Sequence, residues 1–270
     1  MKKPVMIAFD YGQTIIDEHP VDFVRGTAEV MKYAVVNKFN KTPEEIQSIS
    51  AQLKKELGNF KPGHDFGDYG EISNLAFQAF LYESQGIELS ISYEEAELIF
   101  WDSAAWGKAA PGIEELLAYL HDNDIRTAVL SNNAYGQKAL SSRINRILPN
   151  HHFEFILSTK DYLFRKPNRH IYELLLMKAD LQAADVWYAG DSLINDVDGS
   201  RNAGLMPIWY TGASEKWEQT DRECLHIKHW HDLIDYLKEL QEQFFLYSTL
   251  DILCKVNYTI NVKLTILERV

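Results

Sequence analysis

The chain has 270 residues, with 27 Lys+Arg against 39 Asp+Glu, a formal net charge of −12, 46% apolar and 12% aromatic residues. That apolar and aromatic load excludes a disordered chain, and the acidic balance repels nucleic acid and anionic lipid, so neither is expected as a partner. The two cysteines, Cys224 and Cys254, offer neither a disulfide framework nor metal-ligand spacing. No apolar stretch approaches the roughly 18 residues of a membrane helix, and the run at 5–9 is too short for a signal peptide. The expectation is a cytoplasmic protein with no membrane partner.

Residues 5–9 form an apolar run ended by Asp10, Tyr11 and Gly12, the pattern of a central parallel strand whose carboxyl end opens onto a site. Residues 17–108 read as helical. A long amphipathic helix is predicted over 21–40, and Thr42-Pro43-Glu44-Glu45 starts another with a capping box. Gly58, Gly63, Gly67 and Gly70 mark a loop. Helices follow over about 71–84 and after a second capping box, Ser92-Tyr93-Glu94-Glu95.

From 109 to 243 strand and helix patterns alternate. Strands are predicted at 127–130, running into Ser131 and Asn132, and at 186–189, running into Gly190 and Asp191, with weaker ones at 153–157 and 206–210. Ile113, Leu116, Leu117 and Leu120 keep helical spacing, as do Ile171, Leu174, Leu175 and Ala179. This alternation predicts an α/β fold, a doubly wound parallel sheet, with ligands outside the carboxyl ends of the strands. The expected division is a core of 1–16 and 109–243, a helical cap of 17–108, and an extension over 244–270. The extension alternates strictly over 256–266, a half-buried strand signal. An added edge strand, pairing with another subunit and a non-native extension all fit it, and no oligomeric state follows.

Four short motifs sit at these ends: Asp10-Tyr11-Gly12-Gln13-Thr14, Ser131-Asn132, Arg165-Lys166-Pro167 opening a helix, and Gly190-Asp191-Ser192-Leu193-Ile194-Asn195-Asp196. In order and spacing the chain resembles the haloacid dehalogenase (HAD) superfamily, in the branch with a helical cap between the first and second motifs. The resemblance covers about residues 5–212 and implies a Rossmann-like core, Mg²⁺ as cofactor and a small phosphorylated metabolite as substrate. It makes Asp10 the nucleophile, with Ser131 and Lys166 holding the phosphoryl group. Thr14, Asn132 and the amide of Tyr11 complete the substrate cradle. Asp10, Asp191, Asp196 and the carbonyl of Gly12 become the metal ligands.

The chemistry is coherent with those residue types. A carboxylate can attack phosphorus and form an aspartyl-phosphate, hard oxygens suit Mg²⁺, and phosphoryl transfer needs charge neutralisation above all. Singly, each residue has a plainer reading. Asp10 resembles a helix cap, Lys166 a solvated loop lysine, and Asp191 and Asp196 first-turn carboxylates that favour the helix dipole.

One position departs from the resemblance. HAD phosphatases usually carry a second Asp two residues after the nucleophile as general acid and base, and here that position is Gly12. Such a group contributes roughly 10²–10⁴-fold. Three consequences stay open: a substitute such as Asp17, His19, His64, Asp65 or Asp68; a leaving group that needs no acid; or a different reaction. The last includes phosphonate cleavage through a cap lysine (Lys32, Lys54 and Lys55 are present). A phosphate-binding regulatory module without turnover is the reading from another class. Haloacid dehalogenases proper need no metal and lack the acidic pair seen at Asp191 and Asp196, which favours phosphorus chemistry.

Overall fold

In the computed structural model the described residues are 2–57, 73–213 and 220–243. The central apolar runs pair into one six-stranded parallel sheet. Its strands are β1 (Met6–Phe9), β6 (Arg126–Ser131), β7 (Ile156–Ser158), β8 (Val186–Gly190), β9 (Met206–Tyr210) and β10 (Leu225–Ile227), in the order β10-β9-β8-β1-β6-β7. β1 lies at the centre, with Phe9 level with Val129 of β6 and Ala189 of β8. Because side chains alternate along a strand, Ile7 and Phe9 enter one apolar cluster and Met6 and Ala8 another. The first cluster takes α5 (Ile113–Asp122), α6 (Gln137–Ile147) and a helix over 230–243; the second takes α7 (Arg169–Ala179). The sheet is therefore covered on both faces, an α/β doubly wound architecture.

Between β1 and β6 lie α1 (Phe23–Met31), α2 (Pro43–Glu56), α3 (Asn74–Ser84) and α4 (Tyr93–Ala104). These helices close an apolar cluster of their own, with Val30, Ile46, Leu81, Ile87, Phe100 and Ala104 among its members. Both capping boxes form, on Thr42 with Glu45 and on Ser92 with Glu95. Gly26 lets α1 lie against α4: a Cβ there would stand 2.8 Å from that of Ala104. Two short strands, β2 (Ile16–Glu18) and β5 (Gly107–Ala109), form an antiparallel ribbon where the chain enters and leaves this helical layer.

Three expectations change. The helix predicted over 21–40 ends at Met31, and Ala34–Asn37 forms a strand (β3) paired antiparallel to Ile87–Leu89 (β4). The β-branched pair Val35-Val36 fits a pleated ribbon better than a further helical turn. The strand predicted at 153–157 is displaced to Ile156–Ser158: the chain turns at His152, which has a left-handed backbone (φ 55°), and only backbone bonds of Glu154 and Phe155 to β6 precede the strand. The helix expected to open at Lys166 begins at Arg169, capped by the Asn168 side chain. The glycine loop, His64, Asp65, Asp68 and the extension over 244–270 lie outside the described residues.

Candidate active site

The carboxyl ends of β1, β6 and β8 converge on one point. Asp10 follows β1, and its N–H donates to the Ala189 carbonyl (2.8 Å). Ser131 ends β6 and is buried. Asp191 follows β8, and Asp196 lies in the π-helical turn Leu193–Asp198. Asp10, Asp191 and Asp196 each present an oxygen within 4.8 Å of the others, the one such cluster of His, Cys, Asp or Glu among the described residues. Gly190 makes this approach feasible. A Cβ on it would stand 2.3 Å from Asp196 Cγ, so the Asp196 side chain lies directly over the Gly190 backbone. The Ser192 N–H then fixes Asp196 Oδ2 at 2.8 Å.

Lys166 enters from the loop before α7, is 2% exposed, and donates to Asp10 Oδ1 (2.7 Å), Asp196 Oδ1 (2.6 Å) and the Tyr188 hydroxyl (2.8 Å). Asn132 holds it there. Its side-chain amide donates to the Lys166 carbonyl (2.9 Å) and its side-chain oxygen accepts from the Lys166 N–H (2.8 Å). The Asn132 carboxamide thus grips the lysine backbone. Tyr188, in β8, donates onward to the Leu130 carbonyl at 2.7 Å.

The charge balance is uneven. Three carboxylates face one ammonium. Burial, with Asp196 adding, pushes Asp10 up to about 6 against the pull of Lys166. Asp191 is pushed up to about 7 by burial, Asp10 and Asp196. Lys166 is held well above the usual lysine range by Asp10 and Asp196, which outweigh its burial. Carboxylates crowded to this degree favour a cation among them. The donor set, all hard oxygen, suits a divalent metal of the Mg²⁺ type.

The other predicted residues fall around this cluster. Thr14 is fully buried, and its hydroxyl has no partner among the described residues. The Tyr11 N–H donates to the Asp10 carboxylate, whereas the Tyr11 ring points into the core, T-shaped against Trp101 at 5.7 Å. Lys54 lies over the rings of Phe23 (4.7 Å) and Phe77 (5.7 Å), among the aromatic residues of the helical layer.

A second polar cluster sits behind the Asp10 loop, and the sequence reading passed over it. Arg143 of α6, 1% exposed, donates to the Tyr11 hydroxyl (2.7 Å) and the Ala105 carbonyl, and pairs with Glu18 Oε1 (3.3 Å) and Asp102 Oδ1 (3.4 Å). Its guanidinium carbon lies 4.9 Å from the Trp101 ring centre. Tyr11 also donates to Glu18 Oε1 (3.0 Å). In β2 Glu18 shares a face with buried Ile16, while Asp17 turns outward to Lys108 (3.3 Å). The ring of His19 stacks on Trp106 at 3.5 Å.

Residues 83–210 match the family model for haloacid dehalogenase-like hydrolases. Over these residues the chain is similar to that superfamily. The match begins after β1, but β1 lies between β6 and β8, so the fold joins Asp10 to the matched region. The chain is 22% identical over 244 residues to pyrimidine 5′-nucleotidase PynA of Streptococcus pneumoniae, covering 86% of this chain and 94% of that protein. Among solved structures, 2-haloacid dehalogenase from Pseudomonas syringae is similar with a TM-score of 0.59 at 18% identity, over 90% of this chain and 100% of that one. A HAD phosphatase from Thermococcus onnurineus is similar with a TM-score of 0.58 at 17% identity, over 87% and 98%. A dehalogenase and a phosphatase fit the HAD fold of this chain equally well, so the fold does not choose the reaction. No described helix is long and apolar enough to cross a membrane.

Proposed function

We propose that this protein is a HAD-type, Mg²⁺-dependent phosphohydrolase of a small phosphorylated metabolite. The observation that carries the reading is the convergence of Asp10, Asp191 and Asp196 with a single buried lysine. A metal-free displacement at carbon has no need of three crowded carboxylates. Asp10, Asp191 and Asp196, with the Gly12 carbonyl, would hold the ion, which when bound supplies charge neutralisation at the transferring phosphoryl group.

The protein's own groups do the rest. The Asp10 carboxylate attacks phosphorus, forming an aspartyl-phosphate as the ester oxygen departs, and water then releases phosphate. Lys166 holds charge beside Asp10, and the clamp from Asn132 keeps it there without reorganisation. Ser131, at the end of β6, and the unpartnered Thr14 hydroxyl are the candidate hydrogen-bonding groups for the phosphoryl oxygens. The helical layer of 17–108 acts as the cap that excludes water and selects substrate. Glu97 of α4 reaches out of this layer to pair with Lys160 (3.0 Å) and to accept from the Gly136 N–H (2.9 Å).

The test is phosphate release from a panel of small monoesters with Mg²⁺. Pyrimidine nucleoside monophosphates belong in it, given the relative named as a pyrimidine 5′-nucleotidase. Release that stops with a chelator and with Asp10→Asn is the expected result. Release that survives Asp10→Asn overturns the mechanism.

A further inference from the structure

Cleaving an ester with an alkoxide leaving group needs a proton for that oxygen, and hydrolysing the aspartyl-phosphate needs a base for water. The residues already placed cannot serve both needs. Lys166 is bound to two carboxylates and a hydroxyl, and Asp191 and Asp196 belong to the proposed metal site. Position 12, two residues from Asp10, has no side chain. The space that its side chain would fill is nonetheless approached by a carboxylate. A Cβ built on Gly12 meets one atom within 4 Å, Glu18 Oε2 at 3.6 Å.

We propose that Glu18, reaching over Gly12 from β2, is the general acid and base of this active site. The inference rests on the phosphohydrolase reading above. The chain geometry explains the reach. After Asp10 it turns back on itself, with the Gln13 N–H donating to the Ile16 carbonyl (2.8 Å) and the Gln13 side chain to the Glu18 carbonyl (2.8 Å). That folds β2 beneath the Asp10 loop. Asp17 and His19, flanking Glu18, are engaged elsewhere, on Lys108 and Trp106.

The carboxylate is held at one end and left at the other. Oε1 takes the Tyr11 hydroxyl and the Arg143 guanidinium, and the Trp101 indole N–H also donates to the carboxylate. Oε2 is the oxygen that faces Gly12. The side chain is 23% exposed, enough to meet a ligand. Burial raises the affinity of Glu18 for a proton, opposed by Arg143 and by the bonds from Tyr11 and Trp101.

The steps balance. As Asp10 Oδ bonds to phosphorus and the P–O ester bond breaks, the proton on Glu18 passes to the departing oxygen, giving the alcohol. Glu18, now ionised, takes a proton from water as the water oxygen bonds to phosphorus. The Asp10–phosphorus bond breaks, and phosphate, the Asp10 carboxylate and protonated Glu18 are restored.

The experiment compares an alkyl monophosphate with nitrophenyl phosphate, whose leaving group departs without a proton, in wild type, Glu18→Gln and Glu18→Ala/Gly12→Asp. With Glu18→Gln, turnover of the alkyl ester is expected to fall about 10²–10⁴-fold. Nitrophenyl phosphate should instead give a burst of about one nitrophenol per enzyme followed by slow turnover, because the acid is not needed but the base is. Glu18→Ala/Gly12→Asp returns a carboxylate to the same space from the other side and should regain part of the alkyl turnover. Arg143 loses its pairing with Glu18 in that variant too, so rescue is not explained by structure.

Equal loss on both esters without a burst, or no loss on either, overturns the role of Glu18 and leaves the phosphohydrolase reading standing. So does a folded Glu18→Ala/Gly12→Asp protein without regained turnover. Wild type that releases phosphate from neither ester overturns the reading itself, and the role of Glu18 with it.

Discussion

Two charged clusters flank the loop after β1, and they differ in whether their charge is complete. In front, three carboxylates share Lys166, and burial and mutual repulsion push Asp10 and Asp191 up to about 6 and 7. Behind, Asp102 and, when ionised, Glu18 face Arg143 and Arg146, two charges of each sign. The rear cluster is self-sufficient and ties β2, α4 and α6 together. The front one has negative charge left over, which is what a cation-dependent site requires before its cation arrives.

The largest test of this contrast removes each central cation. Lys166→Met leaves two nearly buried carboxylates unpaired, and Arg143→Met strands Glu18 behind, while Asp102 keeps Arg146. Each is expected to lower unfolding free energy by about 3–5 kcal/mol, read from the denaturant midpoint. The two should part when Mg²⁺ is added. Under the proposed metal site, the ion restores a substantial part of the stability of Lys166→Met and none specifically of Arg143→Met. Equal responses would erase the distinction between the clusters.

The next test is steric. Gly190→Ala places a methyl group 2.3 Å from Asp196 Cγ, so Asp196 must leave its position over β8. A destabilisation of roughly 1–3 kcal/mol is expected, as for other overpacked sites. Mg²⁺-dependent phosphate release should fall with it. Gly12→Ala makes the control, since its new methyl group meets only Glu18 Oε2 at an ordinary 3.6 Å. A thermal melt that ranks the two in the opposite order would show that the backbone of β8 does not set the carboxylate spacing.

How much of this was legible beforehand differs by cluster. Asp10, Ser131 and Asp191 each end an apolar run, so the strand pattern alone places them at one edge of a parallel sheet. Lys166 lies in an irregular loop, and no periodicity points to it; the motif order did. Glu18 was hidden because β2 has three residues, too few for alternation to register, and its partner β5 is equally short. Arg143 and Arg146 sit a turn apart on α6, one 1% and the other 53% exposed. Nothing in their own helix separates them, since the acceptors that bury Arg143 arrive from β2, α4 and the Asp10 loop. β3 was lost inside an amphipathic pattern, which ribbon pairing with β4 overrode.

Removing charge from the front cluster without disturbing its packing is a smaller perturbation. The charged neighbours that raise Asp191 are the carboxylates of Asp10 and Asp196, so Asp191→Asn relieves repulsion. Without metal, the variant should melt no lower than wild type. With Mg²⁺ at about 100 times its dissociation constant, wild type should gain about 2.7 kcal/mol, and Asp191→Asn much less. A variant that loses stability without metal would indicate that Asp191 is a structural partner and that the front cluster, like the rear one, is complete without a cation.

The smallest expected effect lies within the rear cluster. Asp102 accepts from Arg146 through two bonds of 2.6 Å and from Arg143 at 3.4 Å. By distance alone, Arg146 looks the stronger partner. Exposure reverses that ranking. Arg146 is 53% exposed, so water already solvates its guanidinium and screens the pair. Arg146→Ala is therefore expected to change unfolding free energy by only about 0–1 kcal/mol. Arg143 is enclosed by Tyr11, Trp101, Glu18 and the Ala105 carbonyl, and its loss strands an acid that water cannot fully reach. If a denaturant titration found the two substitutions equal, burial would not be what distinguishes them. The rear cluster would then be an ordinary surface network, without the rigidity needed to aim Glu18 at Gly12.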